Sequence, residues 1–411
     1  MNTYALLILS TSLFGYALNL FADLMNLRAL SPVLAKEFTG VYDAEKYRQS
    51  QEYTRVNTRF GFITSSVSVL VTLIFWFSGG FNALDRLVRG WGLHPLVNGL
   101  LYIGILMLLK SLVSLPFSIY ETFVIEERFG FNNTTLKVFI IDLLKALALS
   151  ILIGGPILAG ALAFFQYAGS SAWLYCWITL TLVTILLQFI APSWIMPLFN
   201  KFTPLEEGEL RSAILAYADS VDFPLENLFV MDGSKRSTKS NAFFTGFGKH
   251  KRIALFDTLI DKHSVAELLG ILAHEIGHYK KKHLLQGMLI GIVHTGIMLF
   301  LLSIFLRHKG LFEAFYMEKT SIYAGLIFFG MLYAPIELIL SIFMQIFSRK
   351  HEYEADRFAV ETTKDPEPFI NALTTLSAHN LSNLTPHPLY VFLNYSHPPV
   401  LERIRAIRRL G

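Results

Sequence analysis

The amino-acid sequence predicts a mainly α-helical, polytopic membrane protein with seven transmembrane helices. Of its 411 residues, 53% are hydrophobic and only 16% are charged, whereas soluble domains contain roughly 45–50% apolar and about 25% charged residues. The apolar residues are concentrated in long runs, and a membrane span needs about 20 of them in succession. These two observations exclude a soluble enzyme, a coiled coil and a disordered chain.

Seven runs are long and apolar enough to cross a bilayer. They cover residues 4–27, 60–81, 98–120, 138–167, 172–199, 284–306 and 321–347. The first run has neither a basic amino end nor a cleavage site before Asp23, so we interpret it as a retained helix and not as a signal peptide. The chain therefore divides into five helices with their loops (1–199), a soluble part (200–283), two further helices (284–347) and a C-terminal part (348–411).

The basic residues of the short loops predict the orientation. Seven spans place the termini on opposite sides, and the loops on the C-terminal side hold the larger number of basic residues. These are Arg28, Lys36, Lys46, Arg48, Arg55, Arg59 and Arg128, against Arg86, Arg89, Arg307, Lys309 and Lys319 on the other side. Because basic loops remain in the cytoplasm, we expect the C-terminus and the 200–283 loop on the cytoplasmic side. The membrane that holds the protein would be a bacterial cell membrane or the equivalent endoplasmic reticulum membrane.

Charge and cysteine content exclude other classes of protein. A net charge of +4, scattered along the chain, does not favour a nucleic-acid partner, and the single Cys176 excludes an internal disulfide or a thiolate zinc cluster. Several ionisable residues nevertheless fall within or near the spans, namely Asp23, Lys110, Asp142, Lys145, His294 and Glu337. Each costs several kcal/mol in lipid, so they either pair locally, as Asp142 and Lys145 one turn apart can, or face a polar interior.

The soluble part after the fifth span has the pattern of a small α/β module. Residues 209–221 have the spacing of an amphipathic helix, and 228–231 form a short apolar run typical of a strand. Residues 241–248 and 252–256 are two extended pieces joined by a Gly-Lys-His-Lys turn. This pattern predicts a β-hairpin.

A helix with metal-binding spacing follows the hairpin. Ser264 and Glu267 fit a capping box, and the helix that they begin contains His274, Glu275 and His278. Histidines four residues apart lie on one helical face and can bind one metal ion, while the intervening glutamate can act as general base. The alternative is a helix whose histidines only lie on the surface, as we expect for His263 and His283.

A third metal ligand is expected after the seventh span. Glu352 and Asp356 are four residues apart on a predicted helix, so one carboxylate can bind the metal and the other can accept the spare N–H of a ligating histidine. Two imidazoles and a carboxylate favour one Zn²⁺ ion per chain. We expect the neighbouring His351 and Glu354 to be solvated.

Five segments together resemble one known family. HEIGH at 274–278 and SRKHEYEAD at 348–356 are similar to the motifs of integral-membrane zinc metalloproteases. The sequence also contains YETFVIEERFGFN at 120–132, SNAFFTGFGKHKRIALFDTL at 240–259 and NYSHPPVLERI at 394–404. With these, the chain resembles the type I CAAX prenyl protease family over nearly its whole length, and its short loops and compact C-terminus resemble a prokaryotic member.

The resemblance implies a fold and a set of roles. The fold is a ring of seven helices around a large water-filled chamber, capped by the zinc domain. The zinc ligands would be His274, His278 and Glu352, the catalytic base Glu275, and the partner of a ligand histidine Asp356. His397 and Arg403 would hold the scissile carbonyl and its oxyanion, and Asn241 and Ala242 match the edge strand on which the substrate backbone lies.

The activity implied is hydrolysis of a peptide bond near the C-terminus of a peptide or protein, with or without a prenyl group, by a monomer in contact with membrane lipid. Two alternatives stay open. A quality-control protease for membrane proteins would use the same site on broader substrates, and a seven-span transporter or receptor would use the polar interior without hydrolysis.

Overall fold

The structure is a computed structural model, and it describes residues 1–245 and 251–410. The N-terminal half is helical. Its helices are α1 (Thr3–Ala29), α2 (Ala44–Phe77), α3 (Gly80–Gly90), α4 (Pro95–Tyr120), α5 (Leu136–Leu149), α6 (Gly155–Tyr167), α7 (Ala172–Ile190) and α8 (Met196–Phe199). Single π-helical segments at Glu121–Glu126, Ser150–Gly154 and Ala191–Ile195 continue α4, join α5 to α6 and join α7 to α8.

The second half contains the sheet and the remaining helices. In chain order these are β1 (Phe202–Pro204), α9 (Glu209–Ser220), β2 (Leu225–Met231), β3 (Ala242–Thr245), β4 (Lys251–Phe256), α10 (Asp257–Ile260), α11 (Val265–Lys280), α12 (His283–Phe305), α13 (Lys309–Glu313), α14 (Ile322–Thr363), α15 (Glu367–His379), α16 (Pro388–Asn394) and α17 (Val400–Ile407). The predicted 209–221 helix and 228–231 strand correspond to α9 and β2.

The long helices form a closed ring. Six helical stretches in the described residues are long and apolar enough to span a membrane: Thr3–Ala29, Ala44–Phe77, Pro95–Glu126, Gly169–Phe199, His283–Phe305 and Ile322–Thr363. The predicted fourth span is helical from 136 to 167 through α5, the π segment and α6. Contacts run from α1 to α2, α4, α6, α7, α12, α14 and back to α1, so the seven predicted spans follow one another around the ring.

An aromatic core closes one end of the ring. Trp76 at the end of α2 is fully buried, and its Nε1 donates to the Ala314 carbonyl after α13 over 2.8 Å. Phe315 stacks on Phe328 of α14 with centroids 3.9 Å apart. The short helices α3 and α13 therefore fold across this end and pack against the start of α14.

Between this core and the soluble module the helices are sparsely packed. Only 6–22% of the residues in the most apolar part of each candidate span are buried, because the helices face either lipid or an interior chamber. A cavity of about 890 Å³ lies between α2, α4 and α14, and its wall includes Thr64, Ser68, Lys110 and Ser114. Polar side chains therefore line part of this cavity, together with apolar ones.

The intramembrane charges find partners that are distant in sequence. Asp142 does not pair with Lys145, as the local alternative predicts. It accepts two hydrogen bonds from Arg236 of the soluble module, at 2.7 and 3.0 Å, while Lys145 donates to the Leu198 carbonyl. These bonds fasten the module to the ring.

The soluble module covers the other end of the ring. Its sheet has the order β1-β2-β4-β3, with β2 parallel to β4 and both outer pairs antiparallel. Ile214 of α9, Leu255 of β4 and Leu272 of α11 are buried in the core between the sheet and these helices. A second core joins α15 and α17 to Phe38 and Tyr42 from the first loop. Because α14 continues without a break from the membrane into this module, it brings residues after 347 beside α11.

Candidate active site

Helix α11 carries the two histidines. Its capping box is formed as predicted, since the Ser264 N–H donates to Glu267 Oε2 (2.9 Å) and the Glu267 N–H donates to Ser264 Oγ (3.3 Å). The helix packs closely on α14 at Gly277, where an added Cβ would lie 3.1 Å from Ala355 Cα. A glycine inside the motif therefore allows α14 to bring Glu352 to the histidine face.

His274, His278 and Glu352 converge on one point. The Nε2 atoms of the two histidines are 3.1 Å apart. The His278 Nε2 is 3.2 Å from Glu352 Oε1, and the His274 Nε2 is 3.5 Å from Glu352 Oε2. Tetrahedral zinc with bonds of about 2.0–2.1 Å to nitrogen and oxygen separates its ligand atoms by about 3.3 Å. The triangle therefore has the size that a zinc ion requires.

The buried carboxylate of Glu352 supports the same assignment. Its side chain is only 5% exposed, and its Oε2 has no hydrogen-bond partner in the described part of the chain. Burial opposes ionisation, but the hydrogen bond to His278 and the electrostatic interactions with His274 and Arg403 outweigh it and lower the pKa of Glu352 to about 2. Since a buried carboxylate oxygen without a hydrogen bond is costly, a cation between these three side chains fits the donor set.

Asp356 fixes the ring of His274. Its Oδ1 lies 2.9 Å from His274 Nδ1, and it accepts two hydrogen bonds from Arg403, from Nε at 2.9 Å and from Nη2 at 2.6 Å. Burial raises the pKa of Asp356, but the Arg403 charge and the His274 hydrogen bond hold it well below its ordinary value. The carboxylate therefore accepts the Nδ1–H of His274 and leaves Nε2 free to bind a metal.

Glu275, His397 and Arg403 surround the metal-binding triangle. Glu275 is half-buried on the next position of α11, and its charge acts on the Arg403 guanidinium. His397 Nε2 is 3.4 Å from Glu352 Oε1, although the His397 side chain is 65% exposed. Arg403 Nη1 is 3.4 Å from Glu352 Oε2, and its side chain is 11% exposed. The structure thus brings the three predicted catalytic residues together with the three predicted ligands.

The predicted substrate strand lies at the edge of the sheet. Ala242 begins β3, which pairs with β4 from Ala242↔Leu255 to Thr245↔Arg252 and is the last strand of the described sheet. Asn241 immediately precedes it and is exposed. Strand β3 contacts α11, so this edge runs beside the helix that carries His274. The predicted Gly-Lys-His-Lys turn includes residues outside those that the structure describes.

Comparisons with known proteins agree with this geometry. The family model described as CAAX prenyl protease N-terminal, five membrane helices, matches residues 23–201. The model of peptidase family M48 matches 204–410. The chain belongs to the type I CAAX prenyl protease family of M48 peptidases.

Curated relatives and a solved structure match over most of this peptidase. It is 36% identical to CAAX prenyl protease 1 of Saccharomyces cerevisiae, over 92% of this chain and 88% of the yeast protein. It is 32% identical to the CAAX prenyl protease 1 homolog of Homo sapiens, over 91% of this chain and 88% of the human protein. The crystal structure of S. mikatae Ste24p matches with a TM-score of 0.91 and 35% identity, over 99% of each chain.

Three histidines of the peptidase that were predicted at the surface are buried. His263 and His283 were expected on the surface, yet they are 8% and 6% exposed. His351, expected to be solvated, is 9% exposed and stacks on His283. Glu354 is 38% exposed, in keeping with the expectation of a solvated carboxylate, and its Oε2 lies 3.1 Å from His283 Nε2. The left-handed turn at Lys282 (φ 60°) places His283 beneath His278, and no spacing rule for a lysine-rich turn indicates this reversal.

Proposed function

We propose that this M48 peptidase is a zinc endopeptidase that cleaves CAAX-type substrates near their C-terminus. The single observation that carries the proposal is the His274–His278–Glu352 triangle, with a Glu352 oxygen that accepts no hydrogen bond in the described residues and with Glu275 next to His274 on the helix. The names of the relatives support the substrate class. The three residues of the triangle and the three that surround it come from one chain, so we propose that a monomer with one zinc ion is sufficient.

The zinc ligands would be His274, His278 and Glu352, and a bound zinc ion supplies Lewis acidity that polarises a carbonyl and lowers the pKa of water. Glu275 then accepts the proton of the attacking water at its carboxylate and returns it to the leaving amine. This assignment requires a carboxylate that is not already committed. In the described part of the chain, no direct hydrogen bond or ion pair engages the Glu275 carboxylate.

His397 and Arg403 are proposed to stabilise the oxyanion. The His397 Nδ1 is 2.9 Å from Ser396 Oγ. If that hydroxyl donates to Nδ1, the ring proton lies on Nε2, which is the nitrogen nearest to Glu352. Arg403 commits Nε and Nη2 to Asp356, so Nη1 is the atom that can reach a substrate oxygen. A well-placed donor of this kind contributes about 3–4 kcal/mol to transition-state stabilisation.

Strand β3 is proposed to align the substrate backbone. Its position at the edge of the sheet permits an extended peptide to add as a further strand, with the first such contact at Asn241 and Ala242. Because β3 lies beside α11, a peptide bound there passes the metal site. Main-chain hydrogen bonds form whatever the side chains of the peptide are. Binding as an added strand therefore allows variation in the residues after the cleaved bond.

The module is proposed to face the cytoplasm, as the basic loops on its side indicate. The test is the reaction of single cysteines with a membrane-impermeant maleimide in sealed vesicles. With Cys176→Ala as background, a cysteine at exposed Asn241 and one at exposed Arg86 must react from opposite sides. Reaction of the Asn241→Cys protein with reagent added outside intact cells would show that the orientation is the opposite of the one proposed.

Cleavage of paired peptides tests the function. The purified protein is incubated with a farnesylated CAAX peptide and with its unprenylated twin, and the products are identified by mass spectrometry. We expect cleavage of the farnesylated peptide, zinc retention without cleavage in Glu275→Gln, and loss of both in His274→Ala. A cleaving Glu275→Gln protein would remove the mechanism. Equal cleavage of the two peptides and of unrelated membrane proteins would favour the quality-control alternative.

Membership of a peptidase family and the metal-binding triangle favour hydrolysis over the transporter or receptor alternative. A transporter needs no water-activating carboxylate beside two metal-binding imidazoles. Inhibition of peptide cleavage by a zinc chelator, and its recovery on adding zinc, would separate the two functions directly.

A further inference from the structure

A chain of hydrogen bonds leads away from the second metal-binding histidine. The His278 Nδ1 is 3.0 Å from His283 Nδ1, and His283 Nε2 is 3.1 Å from Glu354 Oε2. These contacts lie on the opposite side of the His278 ring from His274 and Glu352. The two histidines of α11 therefore have different supports, since His274 contacts the Asp356 carboxylate directly whereas His278 reaches a carboxylate only through another imidazole.

Only one arrangement of protons satisfies the chain when His278 binds a metal through Nε2. The His278 proton must then lie on Nδ1 and be donated to His283 Nδ1, because two protonated or two bare nitrogens cannot form a hydrogen bond. His283 consequently carries its proton on Nε2 and donates it to Glu354. Each tautomer is fixed by the next partner, and the carboxylate at the far end sets the direction of the whole chain.

The surroundings hold His283 in place. Its side chain is 4% exposed, and its ring stacks on His351 with centroids 3.8 Å apart and planes 8° apart. The His351 Nε2 is in turn 3.0 Å from Gln286 Oε1. The Glu354 side chain is 38% exposed, and its Oε1 lies 3.7 Å from Lys350 Nζ. The imidazole is therefore rigid, whereas the terminal carboxylate is near solvent and can be changed with little effect on folding.

One segment of α14 supports the complete triangle. Glu352 is itself a proposed metal ligand. Asp356, one turn later, contacts His274, and Glu354 contacts His278 indirectly, through His283. We propose that His283 and Glu354 are positioning residues that keep His278 in its metal-binding tautomer and orientation, and so increase the affinity of the site for zinc. This inference rests on the proposed function, because it requires His278 to bind the metal.

Zinc affinity of the purified, detergent-solubilised protein tests the proposal, measured by competition with a chromophoric chelator. Loss of a partner of this kind typically weakens metal binding 10–100-fold. We expect His283→Phe, which keeps the stack on His351 but has no acceptor, to bind zinc at least about 10-fold more weakly. His283→Gln keeps an acceptor and a donor, so it should recover most of the affinity. His351→Phe is the matched control and should bind as the wild type does.

Glu354, the last member of this series of hydrogen bonds, provides a test that does not require a substitution at a buried position. Glu354→Leu removes the terminal acceptor and should weaken zinc binding several-fold, whereas Glu354→Gln, which retains an oxygen acceptor, should lose less. The visible absorption of the cobalt-substituted protein should change in His283→Phe and Glu354→Leu and remain unchanged in His351→Phe. The thermal midpoint of each metal-free protein shows that it is folded.

The results separate this inference from the proposed function. Wild-type zinc affinity in folded Glu354→Leu and His283→Phe would overturn the positioning role while leaving the metal site intact. Equal losses in His283→Gln and His283→Phe would also overturn it, since packing and not hydrogen bonding would then explain the effect. A wild-type protein that neither binds zinc nor cleaves peptide would instead refute the proposed function itself.

Discussion

The close approach of α11 and α14 at Gly277 is expected to control the metal site. An alanine Cβ there would lie 3.1 Å from both Cα and O of Ala355 and 3.2 Å from Phe358 Cβ. Ordinary carbon contacts are about 3.5–4.0 Å, so the two helices must separate by several tenths of an ångström. That is more than the roughly 0.2 Å within which ligand distances of a metal site are held.

The expected effect of Gly277→Ala has two opposing parts. Alanine favours a helix over glycine by about 0.8–1.0 kcal/mol, while forcing an extra carbon into a packed interface costs about 1–3 kcal/mol. The net destabilisation is therefore between about 0 and 2 kcal/mol, which is modest. The change at the metal should be larger, because Glu352 moves away from both histidines. We expect zinc affinity and kcat/KM to fall about 10-fold or more.

Two matched substitutions separate these effects. At Gly291 an added Cβ meets nothing within 4 Å, so Gly291→Ala should only gain helix stability. At Gly270 it would lie 2.9 Å from Phe369 Cα on α15, so Gly270→Ala should lower the thermal midpoint with a smaller effect on zinc. The three proteins are compared by thermal unfolding in detergent and by chelator competition. Wild-type zinc affinity in Gly277→Ala would refute the view that this glycine sets the distance between the ligands.

Three further results are expected. Asp356→Asn should weaken zinc binding about 10–100-fold, measured by the same competition, because the amide can present an N–H where His274 needs an acceptor; unchanged affinity would contradict that role. Burial, with the nearby charges of Lys46 and Lys262, lowers the pKa of His379 to about 4; between that value and the ordinary pKa near 6.5 only the unfolded state gains a proton, so stability must fall as pH decreases from 6.5 to 4. His379→Gln should lose less thermal midpoint between pH 7 and 5 than the wild type, and identical pH profiles would exclude this contribution. Lys239→Met breaks the bonds of Lys239 to Glu126 and Tyr53 (2.8 and 2.7 Å) and frees the chain that leads into β3, so KM for the peptide should increase with kcat nearly constant; a fall in kcat alone would argue against a role in substrate alignment.

The sequence predicts the membrane helices well but not where they end. Hydropathy identifies the part of a helix that lies in lipid, so the predicted 60–81 span misses that α2 begins at Ala44. For the same reason the predicted 321–347 span stops short of Thr363, although α14 is one continuous helix. The three-residue strand β1 was also missed, because its pairing with β2 depends on contacts distant in sequence.

The convergence of the three proposed metal ligands was predictable because the spacing that groups them is local. An i, i+4 spacing places His274 and His278 on one face whatever surrounds the helix. The partners of those ligands were predicted less completely. Asp356 shares a helix with Glu352 and could be found by the same rule, whereas His283 reaches His278 only through a left-handed residue at Lys282. The pairing of Asp142 with Arg236 joins two domains, and a single sequence contains no signal for it.

The unbroken course of α14 links the two ends of the molecule mechanically. Glu352 is 30 residues from the first residue of this helix, a distance of about 45 Å at 1.5 Å per residue. The start of α14 is packed against aromatic rings, and Pro335 within this helix cannot donate a backbone hydrogen bond. A rotation of only about 2° at that proline moves Glu352, 17 residues further on, by roughly 1 Å. A small change of angle at Pro335 is therefore enough to shift the carboxylate that faces the two histidines.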